Sequence, residues 1–346
     1  MEYFVTGATG FIGTKLVTRL VNDGHDVIAL TRSRPNAQNL PDAVTVVEGD
    51  ITDKESIREP MTGVDRVFHM AAWWFIGPGS RERETAHRIN VEGTRNVLEL
   101  MNELEIPKGV YTSTVGVYGN TNGEIVDESY RPDNPGLSVY QQTKWSAHYE
   151  VARPMMDEGL PLVVVQPGSV YGPGDKEYGS VREGFVSWLE GDLPIFPRQF
   201  ATPYDHVDDS VQGHLLAMEE GDVGEEYIIS SEPRKAVDVF DLAAELTGIS
   251  PPRPVSPIWF KLLEKVMMPV EWVTTPPEGF ERESLRTFGG VEILVDNSKA
   301  KRELGIEHRP LEDGLRAYLE WEMEQLGMEA GTKTTRTSAD TSDTVV

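Results

Sequence analysis

Tyr140 and Lys144, in the run Tyr140-Gln141-Gln142-Thr143-Lys144, are a pair whose types and spacing could move a proton. A free phenol ionises near pH 10 and is a poor base at neutrality. One helical turn would bring the lysine ammonium beside the phenol, where its charge favours the phenolate. Such a pair could take the proton of a secondary alcohol as hydride leaves the same carbon, or return it to a carbonyl. The same spacing is common on solvated helix faces, so this reading needs a hydride carrier elsewhere in the chain.

The run Thr6-Gly7-Ala8-Thr9-Gly10-Phe11-Ile12-Gly13 points to that carrier. It follows Tyr3-Phe4-Val5, a short apolar run that reads as a buried strand. It opens a segment in which Phe11, Ile12, Leu16, Val17, Leu20 and Val21 fall near helical spacing as far as Asn22-Asp23-Gly24. A second strand follows over 26–30. Strand, glycine turn, helix and strand within about thirty residues is the setting in which backbone amides cradle a dinucleotide pyrophosphate. Gly7 permits the turn, Gly10 lets the phosphates approach, and Gly13 lets helix pack on strand. Thr9, Phe11 and Ile12 belong to the same cradle.

After the second strand come Thr31-Arg32-Ser33-Arg34, with no carboxylate to pair the adenosine ribose. A guanidinium holds a 2′-phosphate through two parallel bonds, so Arg32, helped by Arg34 and Ser33, favours NADP, with NAD as the alternative. Strands over 44–47 and 67–72 should end at the same edge. Asp50 and Ile51 would then flank the adenine, and Ala71 and Ala72 would pass beneath the linking phosphates.

As a set, the glycine run, Asp50-Ile51, His69-Met70-Ala71-Ala72, Asn90-Val91-Glu92-Gly93-Thr94, Val117-Tyr118-Gly119, Tyr140 to Lys144, Val170-Tyr171-Gly172-Pro173-Gly174 and His206-Val207-Asp208-Asp209 resemble the extended short-chain dehydrogenase/reductase family. The family is also called the NAD-dependent epimerase/dehydratase family, and the resemblance covers roughly residues 1 to 325, as judged from its strand-end motifs. It implies an α/β fold: a Rossmann doubly wound parallel sheet with a smaller α/β substrate-binding region.

The resemblance also implies that Lys144 bonds the nicotinamide ribose and that Thr114, four residues before Tyr118, holds the substrate oxygen. Ser113 and Thr112 are then packing or capping hydroxyls. Pro167 is counted with the cofactor contacts. Where relatives that eliminate water carry an acidic pair, this chain has Val115-Gly116, which cannot exchange a proton. Where nucleotide-sugar enzymes place an arginine, it has Thr202, with Arg198 close by. These departures, Arg32 and the aromatic Trp73-Trp74-Phe75 favour a dihydroflavonol-reductase-like or hydroxysteroid-dehydrogenase-like branch. A nucleotide-sugar 4-epimerase with retained NAD and a silent NADP-binding protein are the alternatives. Helices near 94–104 and 141–158 resemble those of a dimer contact, so a homodimer is expected.

His69 and His206 read as structural, and no cluster has metal-ligand spacing. With 57 acidic against 32 basic residues the net charge is −25, which speaks against nucleic acid and anionic membranes as partners and leaves a small-molecule substrate. Only 11 of the basic residues are lysines, a balance resembling proteins of salt-loving organisms. No cysteine, signal segment or long apolar run is present, so a soluble cytoplasmic protein is expected. The cofactor domain should comprise 1–171 and 201–232, the substrate region 172–200 and 233–326, and a disordered tail 327–346. An apolar helix from Ser256 to Val273 should pack as core or as a pocket wall, with membrane contact as the lesser reading.

Overall fold

The computed structural model describes residues 1–74, 80–133, 136–175, 179–271 and 282–328. The first half runs β1 (Glu2–Thr6), α1 (Phe11–Asn22), β2 (Asp26–Thr31), β3 (Thr45–Glu48), α2 (Lys54–Met61), β4 (Arg66–His69), α3 (Ser80–His87), α4 (Thr94–Glu103), β5 (Lys108–Thr112), α5 (Val139–Ser146), α6 (Arg153–Asp157) and β6 (Leu162–Val165). The second half runs β7 (Ser169–Tyr171), α7 (Ser180–Leu189), β8 (Ile195–Pro197), β9 (Ala201–His206), α8 (Val207–Glu219), β10 (Glu226–Tyr227), β11 (Pro233–Lys235), α9 (Ala236–Thr247), β12 (Arg253–Val255), α10 (Pro257–Glu271), α11 (Arg282–Phe288), α12 (Ser298–Glu303) and α13 (Leu311–Gln325).

Seven strands form one parallel sheet in the order β10-β6-β5-β4-β1-β2-β3. The order reverses between β1 and β4, which opens the crevice where a doubly wound sheet binds its ligand. Central strands read as continuous apolar runs because both faces are covered. Phe4, Val5, Val67, Phe68, Val110 and Val163 are all fully buried.

A smaller three-stranded sheet, β11-β9-β7, and the pair β12-β8 build the second region. The expected boundary at 201 falls within this small sheet, since β9 pairs with β7 and β11 while α8 packs back on α1. This second region is knit by an aromatic core of Phe185, Trp188, Phe240 and Tyr318.

Two expectations shift. The strand expected over 67–72 ends at His69: Met70 N–H still reaches the Thr6 carbonyl of β1, but the next amide, of Ala71, donates to the Thr6 hydroxyl instead of a strand carbonyl. The apolar stretch from Ser256 does form a helix, but Ile258, Trp259, Leu262 and Val266 face outward. Among the described residues, packing takes only the opposite face, against α11, where Glu264 meets Arg282 and Arg286. No helix among the described residues is long and apolar enough to cross a membrane. Phe75 and the tail from residue 329 lie outside the described residues.

Candidate active site

The glycine turn has little freedom. Gly7 sits at φ +71°, and a Cβ there would come within 2.7 Å of the Ala71 backbone nitrogen. The end of β4 therefore packs directly on the turn, a second reason for glycine beyond the turn itself. A Cβ at Gly13 would collide with the Gly7 carbonyl, so α1 can lie this close to the loop only without one. Gly10 is the N-cap of α1, makes no side-chain cap, and the first turn carries no acidic residue. A helix start left open to an anion suits a pyrophosphate, and in this respect the chain fits a dinucleotide.

Around that cradle, Arg32 is exposed and has no ion pair among the described residues, while Thr31 before it is buried. Glu48 Oε1 accepts the Arg34 backbone N–H at 3.0 Å. Asp50 turns its carboxylate onto Thr52, accepting from both its backbone N–H and its hydroxyl at 2.9 Å. The Ile51 side chain is buried in the core, where Gly93 leaves room for it. The amide of Ala71 donates to the Thr6 hydroxyl at 3.2 Å, and the buried Pro167 accepts through its carbonyl from Val115 N–H.

Tyr140 is the second residue of α5, a helix started by a full capping box. Ser138 Oγ accepts from Gln141 N–H at 3.1 Å, and Gln141 Oε1 accepts from Ser138 N–H at 3.2 Å. The phenol meets Thr114, which follows β5 by two residues and caps the next turn by accepting from Gly116 N–H at 3.1 Å. That leaves the threonine proton free for the phenol oxygen. Burial pushes Tyr140 up to about 12, and the Thr114 bond pulls against this by favouring the phenolate.

Lys144 lies one turn on, as the spacing predicts, but its ammonium is engaged elsewhere. It donates to Tyr111 Oη at 3.0 Å and to the Thr112 carbonyl at 2.7 Å, and it sits 4.5 Å from the centre of the Tyr111 ring. These two bonds thus run to the end of β5 beneath the helix and not to the Tyr140 phenol one turn before it. The strand-end carbonyl and Tyr111 hold it as a floor beneath the site. Burial brings Lys144 down to about 7.

The floor continues through histidines paired with hydroxyls. His69 bridges the hydroxyls of Thr6 and Thr94 at 2.7 and 3.0 Å and stacks on Tyr111, and burial lowers it to about 3. Thr112 meets His214 at 2.9 Å and Ser113 meets His148 at 2.8 Å, so both hydroxyls are packing groups. His206 caps α8 and approaches Arg309. Sequence reasoning missed Tyr111, His148 and His214, whose partners are more than thirty residues away along the chain. Asn90 lay within a quoted motif. Its side chain accepts from Trp73 N–H at 2.6 Å and donates to the Trp73 carbonyl at 2.9 Å, anchoring the loop after β4.

A family model described as the NAD dependent epimerase/dehydratase family matches residues 3–230, from β1 to the residues just beyond β10. The chain belongs to that family. It is an NAD(P)-dependent enzyme of the extended short-chain dehydrogenase/reductase type.

Among its relatives, a provisionally named dihydroflavonol 4-reductase of Synechocystis sp. is 32% identical over 334 residues, covering 92% of this chain and 94% of that one. The 4-hydroxy-2-methyl-3-oxo-4-farnesyl-3,4-dihydroquinoline-1-oxide ketoreductase of Stigmatella aurantiaca is 30% identical, covering 89% and 92%. The crystal structure of a Thermotoga maritima UDP-glucose 4-epimerase with UDP-glucose matches at TM-score 0.75 and 27% identity, over 94% of this chain and 100% of that one.

Within the family fold, Thr202 is buried in β9 with its hydroxyl 3.3 Å from that of Ser169. Arg198 is exposed in the turn after β8. Among the described residues no group of three or more His, Cys, Asp or Glu is placed to hold a metal.

Proposed function

We propose that this family member is an NADP-preferring oxidoreductase that reduces a ketone, or oxidises a secondary alcohol, on a largely apolar substrate. The observation that carries the proposal is the placement of Thr114 where it favours ionisation of the Tyr140 phenol, beside a glycine turn open to a dinucleotide. The glycine turn from Gly7 to Gly13, Arg32 and Lys144 would hold the cofactor, which supplies or accepts the hydride when bound.

In reduction, Thr114 passes from the phenol to the substrate oxygen and orients it, while Tyr140, kept protonated by burial, stands ready as the acid. As charge grows on that oxygen, the phenol proton moves to it. The remaining phenolate is eased by the Thr114 bond and by positive charge at Lys144 one turn away. The oxidative direction reverses each transfer, so Tyr140 must first lose its proton.

Val115 and Gly116 beside Thr114 support this reading over elimination of water. The buried Thr202–Ser169 pair, lying where an arginine would clamp a diphosphate, supports it over a nucleotide-sugar substrate. Two relatives named as reductases point the same way. The likeness to a UDP-glucose 4-epimerase keeps that activity, with retained NAD, as the second reading.

To test this, the freshly purified protein is denatured to identify any bound nicotinamide, and the emptied protein is titrated with NADPH and NADH. It is then assayed with dihydroquercetin and with UDP-glucose. Exchangeable cofactor with tighter NADPH binding is the expected result; retained NAD with UDP-glucose turnover would establish the epimerase, and no nicotinamide binding would overturn both.

A further inference from the structure

The first backbone N–H of the helix carrying Tyr140 is not capped from its own neighbourhood. Val139 N–H donates at 2.7 Å to Glu283 Oε1, a carboxylate 144 residues further along on α11. Both residues are buried, Glu283 with 8% of its surface exposed. A helix start leaves its first N–H groups without intrahelical partners. In α5 the third is satisfied by Ser138 and the first by Glu283. The carboxylate is also held favourably by the positive end of the helix.

This contact crosses from the substrate region to the cofactor domain and ends one residue before Tyr140. We infer that Glu283 is a positioning residue: through Val139 N–H it sets the first turn of α5, and with it the phenol of Tyr140 against Thr114. The inference rests on Tyr140 being the proton donor. It also makes α11, which α10 packs against, a route by which contacts in the substrate region reach the reacting phenol.

Two perturbations remove the same bond from opposite sides. Glu283→Ala deletes the acceptor. Val139→Pro deletes the donor and leaves the helix intact, because proline is favoured at the first helical position and Ser138 before it is already extended at φ −104°, ψ 159°. Glu283→Gln keeps an acceptor oxygen at the same reach.

The substrate-free readout is the NMR resonance of Tyr140 in protein labelled with 13C at the tyrosine ring Cζ, identified by its loss in Tyr140→Phe. The Tyr140 signal should shift in Glu283→Ala and in Val139→Pro, by similar amounts and without adding in the double variant, and should stay in place in Glu283→Gln. The kcat for whichever carbonyl the enzyme turns over should fall about 10- to 100-fold in the same two variants, with NADPH affinity unchanged.

A Tyr140 signal and kcat unmoved by either variant would overturn the inference. So would additive losses in the double variant. If one variant fails to fold, the other still decides. A fully active Tyr140→Phe would instead sink the role of Tyr140 while leaving the Glu283 shift measurable.

Discussion

The desolvation of the half-buried Tyr140 phenol fixes how the two directions of catalysis must depend on pH. With the phenol pushed up to about 12, only ~1 molecule in 10⁵ carries the phenolate at pH 7. Reduction uses the protonated form, which is present throughout, so its rate should be flat between about pH 6 and 9 as far as Tyr140 is concerned. Oxidation needs the phenolate, and its kcat/KM should rise close to tenfold per pH unit, ~100-fold between pH 7 and 9. The positive ring of an oxidised cofactor lowers the pH at which the rise levels off without changing its sign.

Tyr140→Phe removes the proton altogether and should cost 10²–10⁴ in either direction, about 3 to 5 kcal/mol. The assay is initial rate by nicotinamide absorbance in both directions, at saturating cofactor, from pH 6 to 9. An oxidation rate independent of pH, or a Tyr140→Phe enzyme with the wild-type profile, would refute the assignment of Tyr140 as the proton-transferring group.

Other consequences can be checked alongside. Lys144 titrates near 7 in the fold and near 10.4 when unfolded, so between those values the unfolded chain binds more protons and stability rises with pH. From pH 7 to 9 this group should contribute on the order of 2 to 3 kcal/mol, and urea unfolding of Lys144→Met should lack that increment. Arg32→Ala should weaken NADPH binding about 10- to 100-fold and leave NADH nearly unchanged, measured by fluorescence titration. The fully buried Glu322 takes two 2.8 Å bonds from Arg182, and Glu322→Ala, which removes both, should lower the unfolding free energy by about 3 to 5 kcal/mol in a denaturant titration. With a net charge of −25, the melting temperature should climb between dilute buffer and concentrated KCl as self-repulsion is screened. Light scattering in the same salt should return the mass of a dimer, built through α4 and the α5–α6 helix.

What the sequence determined by itself is local. Backbone needs are local, so the positive φ of Gly7 and the close packing at Gly13 could be read from one strand-turn-helix run. Alternating apolar strands and helices pointed to a parallel sheet, because parallel strands require crossovers, while its doubly wound form was implied by the family resemblance. Tyr140 and Lys144 share a helix, so their one-turn spacing was legible too.

Only the tertiary structure decided where the Lys144 ammonium points. That depends on Tyr111 and Thr112, which the β5 strand end brings beneath α5. It decided that, among the described residues, the apolar α10 has a packing partner on one face alone, since periodicity shows an amphipathic stripe and not what covers it. It also decided that the first amide of α5 is held by Glu283, a pairing with no local signature. Burial and long-range hydrogen bonds arise from chain segments brought together by the sheet order, and these are what set the ionisation of Tyr140 and Lys144.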